Sequence, residues 1–132
     1  MNLKTAIYEH LTRDPQVASL VAGRIYRSFA PQGSEFPLIT YQRITSTNKN
    51  DIDFTTERFQ FDLVGQLENE DELETLKEAV VDCLNRFKGD LGGTGFRVKS
   101  VWLDIVADDF NEDHSARRIV LDFRFAYLRT EI

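Results

Sequence analysis

Ile119, Leu121, Phe123, Phe125 and Tyr127 fall on alternate positions, with Arg118, Asp122 and Arg124 between them. Successive side chains of a β-strand point to opposite faces, so this run sets five large apolar groups against a charged reverse side. A helix cannot gather positions of period two onto one side. The chain must therefore build a sheet with one covered face, the usual state of antiparallel sheets. Residues 58–63 repeat the pattern, with Phe59, Phe61 and Leu63 on one face.

The cover is legible too. Leu73, Leu76, Val80, Leu84 and Phe87 recur at steps of three and four, one continuous helical stripe. Asn69 is placed to cap its start, with Glu72 reaching back from three residues on. Glu70, Asp71 and Glu72 suit the positive end of the helix dipole; Arg86 and Lys88 suit the negative end. Gly89 supplies the left-handed residue that commonly closes a helix. The pattern predicts a helix over 69–88.

Leu3, Ile7 and Leu11 form a shorter helical stripe, broken at Asp14-Pro15 because the residue before proline is pushed out of helical geometry. Asp14 then caps a second turn carrying Val17, Leu20 and Val21, which Gly23 ends. Strands are expected over 24–29, 38–47 and 96–107, with loops over 30–37 and 89–95. The polar stretches 46–53 and 108–115 read as exposed loops. Helices on one face of a mainly antiparallel sheet make an α+β fold. The expectation is a single domain over 1–132, with about four to five strands, one long helix and a short N-terminal helical segment on the same face.

At 132 residues, 42% hydrophobic and 29% charged, the chain can bury a core without metal or disulfide support. Cys83 is its one cysteine, which excludes an internal disulfide and suits a reducing compartment. The N-terminus is interrupted by charge too early for a secretory signal. No apolar run approaches the roughly 20 residues that span a bilayer, so synthesis and assembly in the cytoplasm are expected, with no membrane partner. A net charge of −6 argues against tight non-specific nucleic-acid binding, though not against DNA passing nearby.

No catalytic or metal constellation survives inspection. Asp109, Asn111 and Asp113 have the spacing of the first EF-hand ligands, but His114 stands where glycine belongs and Val120 where the bidentate glutamate belongs. Asp113, His114 and Ser115 are adjacent, whereas a triad is assembled from distant positions. Gly92-Gly93-Thr94-Gly95 lacks the Gly-Lys-Ser/Thr ending of a phosphate loop and precedes a strand. His10 lies off the Leu3–Ile7–Leu11 stripe and reads as a helix-surface residue. Cys83, beside Val80, Leu84 and Phe87, reads as a small core hydrophobe. The acidic residues Glu70, Asp71, Glu74 and Glu78 read as a solvated helix face, or as a surface turned to DNA or a basic partner. No cofactor is expected.

Three segments carry a resemblance: Gly23-Arg24-Ile25-Tyr26, Ala30-Pro31-Gln32-Gly33, and residues 37–43, Pro-Leu-Ile-Thr-Tyr-Gln-Arg. With the alternating strand at 59–63, Phe87-Lys88-Gly89, Asp108-Asp109-Phe110 and the run 117–125, they resemble the phage tail-completion (tail-terminator, head–tail joining) family over nearly the whole chain. The resemblance implies a non-enzymatic virion protein, assembled in a bacterial cytoplasm, that caps the head-proximal end of the tail tube. It implies a homo-hexameric ring on the tail, monomeric subunits in solution, and the tail tube protein and head connector as partners. DNA would only pass through. Thr47, Asn48, Lys49, Asn50, Asp51, Asp108, Asp109, Asn111, Asp113 and His114 are the expected contacts with neighbours or tube. The other readings are a small cytoplasmic ligand-binding or regulatory module, and an enzyme built on Asp108, Asp109, Asp113 and His114.

Overall fold

A computed structural model describes residues 2–49, 53–110 and 116–129. Two short helices, α1 (Leu3–Arg13) and α2 (Pro15–Val21), precede strands β1 (Ile25–Arg27), β2 (Leu38–Lys49) and β3 (Phe54–Gln66). Helix α3 (Glu70–Leu84) leads to β4 (Gly89–Asp90), a 3-10 turn at Leu91–Gly93, β5 (Arg97–Val98), β6 (Ser100–Phe110) and β7 (Ala116–Leu128). The main sheet has the order β1-β2-β3-β7-β6. Only β1 runs parallel to its neighbour; the other pairings are antiparallel. Strands β4 and β5 form a separate ladder. The α+β expectation stands.

The alternating runs face the helices as expected. Phe59, Phe61 and Leu63 of β3 and Leu121, Phe123 and Phe125 of β7 are fully buried against Ile7 and Leu11 of α1 and Leu76, Val80 and Leu84 of α3. The reverse face is a charge lattice. Arg58 pairs with Asp122, Arg118 with both Asp62 and Asp109, and Arg124 with Asp104.

Local capping explains where the short helices start and stop. The Asn2 side chain accepts from the Thr5 amide at 2.8 Å. Asp14 ends α1 and begins α2, its Oδ1 accepting from the Gln16 and Val17 amides at 3.0 Å each.

Several boundaries differ from the sequence reading: the expected strand over 24–29 is confined to Ile25–Arg27, and the expected loop over 89–95 holds β4 and the 3-10 turn. Helix α3 stops at Leu84, short of Phe87, Arg86 and Lys88. The Arg86 amide donates to the Val101 carbonyl at 2.7 Å, and Asn85 Oδ1 accepts from the Leu103 amide at 3.0 Å, so β6 captures the chain before another turn forms. Only half the capping box exists: Asn69 Oδ1 accepts from the Glu72 amide, while the Asn69 amide donates to the Gln66 carbonyl instead. The stretch read as a loop from 46 is strand as far as Lys49, and Asp108 and Asp109 belong to β6. Strand β1 covers β2 only at Ile39–Tyr41, so from Gln42 onward β2 is an edge, as is β6 beyond Leu103. An edge in water carries polar residues, and the apolar alternation vanishes although the strand continues. The strand expected over 96–107 is divided, with Arg97–Val98 on β4 and the rest in β6.

Helix α1 rests closely on the Leu91–Gly93 turn, with backbone against backbone at Gly92. Gly92 has φ +68°, and a Cβ there would stand 2.7 Å from the His10 amide nitrogen and 3.0 Å from the Ala6 carbonyl oxygen. Strain at a left-handed position and backbone overlap act together, so Gly92→Ala should cost about 2–3 kcal/mol. Chemical denaturation checks it; an unchanged midpoint would refute the contact.

Candidate assembly surfaces

The residues expected to make contacts divide between two hairpin ends. Thr47, Asn48 and Lys49 close β2, and Lys49 lies opposite Phe54, which lies opposite Leu128. Asp108 and Asp109 sit near the far end of β6, where Phe110 lies opposite Arg117 and Arg117 opposite Gly65. Asn50, Asp51, Asn111, Asp113 and His114 lie outside the described residues. From Phe54 to Gly65 the strand rises about 36 Å at roughly 3.3 Å per residue. The fold therefore separates the two sets to opposite ends of its long strands.

The acidic set lies on the outward side of α3. Glu70 is 3.8 Å from Arg117 and Glu74 is 3.4 Å from Lys77, while Asp71 and Glu78 are exposed and make no ion pair among the described residues. Asp82 continues the same exposed side. Exposed pairs of this kind contribute little stability, and their role is in the surface potential.

A depression of about 450 Å³ lies where the α1–α2 junction meets the end of α3 and includes His10, Asp14, Cys83, Phe87 and Gly92. His10 is not the free surface residue that its position off the stripe suggested. Its Nδ1 accepts from the Gly92 amide at 3.0 Å, which leaves the Nε2 proton to donate to the Cys83 carbonyl at 3.0 Å. Phe87 packs edge-on at 4.4 Å. Cys83 is half-buried, and burial, followed by the Asp14 carboxylate, pushes its thiol up to about 12. Both ring nitrogens are tied to backbone and the thiol is held protonated, so this depression lacks an activated nucleophile. Among the described residues no group of His, Cys, Asp and Glu has the arrangement to hold a metal ion.

A buried polar cluster escaped the sequence reading. Glu57 is 3% exposed on the helix-side face of β3; it pairs with Arg43 and accepts from the Tyr127 hydroxyl at 2.6 Å. Burial first, then the Glu57 carboxylate, raises the Tyr127 hydroxyl above its ordinary range. Beside it, buried Thr55 donates to Asn48 Oδ1 at 2.7 Å. The signal was present in the spacing, because Glu57 and Thr55 share the parity of Phe59 and Phe61. Chemically this cluster fixes the sheet end that carries Thr47–Lys49.

The fold has a solved counterpart. A chain of the structure described as the virion of a native gene transfer agent (GTA) particle superposes with a TM-score of 0.79, covering 94% of this chain and 92% of that one at 20% identity. No curated protein matches this chain in sequence. A family model described as tail completion protein gp17 matches residues 5–128, and the chain belongs to that family of phage tail structural proteins.

Proposed function

We propose that the protein caps the head-proximal end of the tail tube, ends tail growth and helps join tail to head, as a ring of identical subunits. The observation that carries this reading is the placement of two polar hairpin ends at opposite poles of the same strands. A joining protein must meet one assembly on each side, and long strands about 36 Å apart in their ends provide two separate contact zones on a stiff body. In this reading one pole meets the tail tube protein and the other the head connector or head-completion protein. Six copies form the ring, and the subunit is monomeric before it reaches the tail. The carboxylates of Glu70, Asp71, Glu74 and Glu78 on the outward side of α3 give the assembly a negative face past which DNA slides without adhering.

Deleting the gene from the phage or inducible prophage that carries it, then imaging the lysate by negative-stain electron microscopy, tests the reading. Overlong tails, or full heads separated from tails, are expected. Virions of normal number and tail length would overturn it.

A further inference from the structure

We infer that the subunits of the ring join side by side, the β1 edge of one copy seating Phe29 in the groove between α3 and β6 of the next. The inference rests on the ring reading and assigns it a surface.

A ring of identical subunits needs two different, complementary patches related by a rotation that closes without a rise. The two ends of this sheet meet that requirement in level, in shape and in charge. Residue pairing runs straight across all five strands: Arg27 lies opposite Tyr41, then Phe61, Leu121 and Val106. Two rows along, Ile25 lies opposite Ile39, Leu63, Ile119 and Asp108. The short β1 and the segment from Val106 to Asp108 therefore stand at the same height on opposite rims. A neighbour displaced sideways, with no step up or down, brings one rim against the other.

The shapes are unlike and fit. Phe29 lies two residues beyond the end of β1 and is 85% exposed, an aromatic knob that its own chain leaves in solvent. On the opposite rim a groove of about 260 Å³ lies between α3 and β6, lined by Lys77, Glu78, Val81, Asp82, Leu103 and Val106. That is smaller than the pockets that hold drug-sized ligands and suited to one side chain. Val106 and its neighbour Ile105 are about half exposed, at 49% and 50%, although both are large aliphatic residues in a strand. Burying an aromatic side chain in a desolvated pocket is how a few residues dominate an interface.

The charges are opposite. Residues 24–29 hold Arg24, which meets Glu35 at 3.9 Å, and Arg27, and no acid; β6 holds Asp104, Asp108 and Asp109 and no base, with Asp104 and Asp109 shared with Arg124 and Arg118 of β7. Glu78 and Asp82 outnumber Lys77 on the rim of the groove and keep it acidic. Opposed fields of this kind favour head-to-tail contact and disfavour pairing of like rims.

A continuous ladder of strands from copy to copy is not the form this contact takes. Neighbouring strands rotate by about 20–25°, so across four steps the two rims differ by roughly 80–100° in direction. The rims cross, and side chains make the contact. The start of the β6 edge is also already occupied, by Asn85 and Arg86.

Cross-linking on assembled particles tests the assignment. In a Cys83→Ser chain, Phe29→Cys and Val106→Cys are introduced together and singly, and tails carrying each variant are treated with a short bis-maleimide. The double variant should give a ladder of multimers that ends at the copy number of the ring, and each single variant should stay monomeric on a denaturing gel. Monomer alone from the double variant, or dimers from a single variant, overturns the inference. Imaging the same tails separates the two readings: a ring at the tail end without a ladder removes only the Phe29 contact, whereas tails bearing the protein without a ring remove both. As an independent arm, Phe29→Asp should abolish the ring and leave the circular dichroism of the monomer unchanged; a ring formed by Phe29→Asp overturns the inference.

Discussion

Phe61→Ala should lower the stability of the domain by about 4 kcal/mol, the cost of removing a large aromatic side chain from a closed core. For a chain of this size that corresponds to a fall of roughly 12–20 °C in melting temperature. Phe61 is fully buried and sits at the centre of the aromatic layer, stacked on Tyr41 at 5.6 Å and meeting Phe123 edge-on at 5.4 Å. Those neighbours stand on β2 and β7, so the ring ties the three central strands together. The space left by alanine cannot be refilled without moving two strands, so the loss should not fall below the middle of the range for such substitutions. Thermal unfolding followed by circular dichroism measures it. A fall of only a few degrees would mean that the layer is loosely packed.

Arg43→Ala should cost about 3 kcal/mol, because it leaves the Glu57 carboxylate charged and buried with one remaining partner, the Tyr127 hydroxyl. The figure stands at the low end for a broken buried pair, since the Arg43 side chain is 39% exposed and water can partly replace it. Loss of the guanidinium over the Phe59 ring, at 5.7 Å, adds to it. A comparison isolates the cause. Replacing all three members (Arg43→Met, Glu57→Leu, Tyr127→Phe) removes the charge together with its partners and should recover stability to within about 1 kcal/mol of the starting protein. If the triple variant is as unstable as Arg43→Ala, stranded charge is not the reason for the loss.

Strand alternation and the α3 stripe were readable because packing on one sheet face imposes a strict period on residues that must avoid water. The β3 and β7 runs and the Leu73–Leu84 stripe all obey it, and the architecture follows from them. Edges obey no such rule. Lys49, Asp108 and Asp109 are strand residues defined by backbone pairing, which carries no side-chain signature, and they read as loop. His10 failed for a related reason: its partners are a carbonyl on α3 and an amide in the 3-10 turn, 73 and 82 positions away. Glu57 was overlooked because a carboxylate on an apolar parity looks like the end of the pattern when it is its polar continuation. The proposed contact between copies is least legible. Phe29 and Val106 look like ordinary apolar residues until the sheet order sets them on opposite rims.

The two irregularities in the sheet have a geometric consequence of their own. Strand β2 slips by one residue at Ile44, between Arg43 and Thr45, and β6 slips by one at Asp104, between Leu103 and Ile105. Both slips fall beside the same row, since Arg43 and Leu103 are the outer members of the line through Phe59 and Phe123. The outer strands thus carry one residue more than the inner two over the same span, an excess of about 3 Å of contour on each side. A surface whose margins are longer than its middle cannot lie flat or close into a cylinder; it takes the form of a saddle, with its two principal curvatures of opposite sign. One curvature bows toward the helices along one diagonal while the other bows away along the second, so the charged reverse face offers a shallow trough in a single direction.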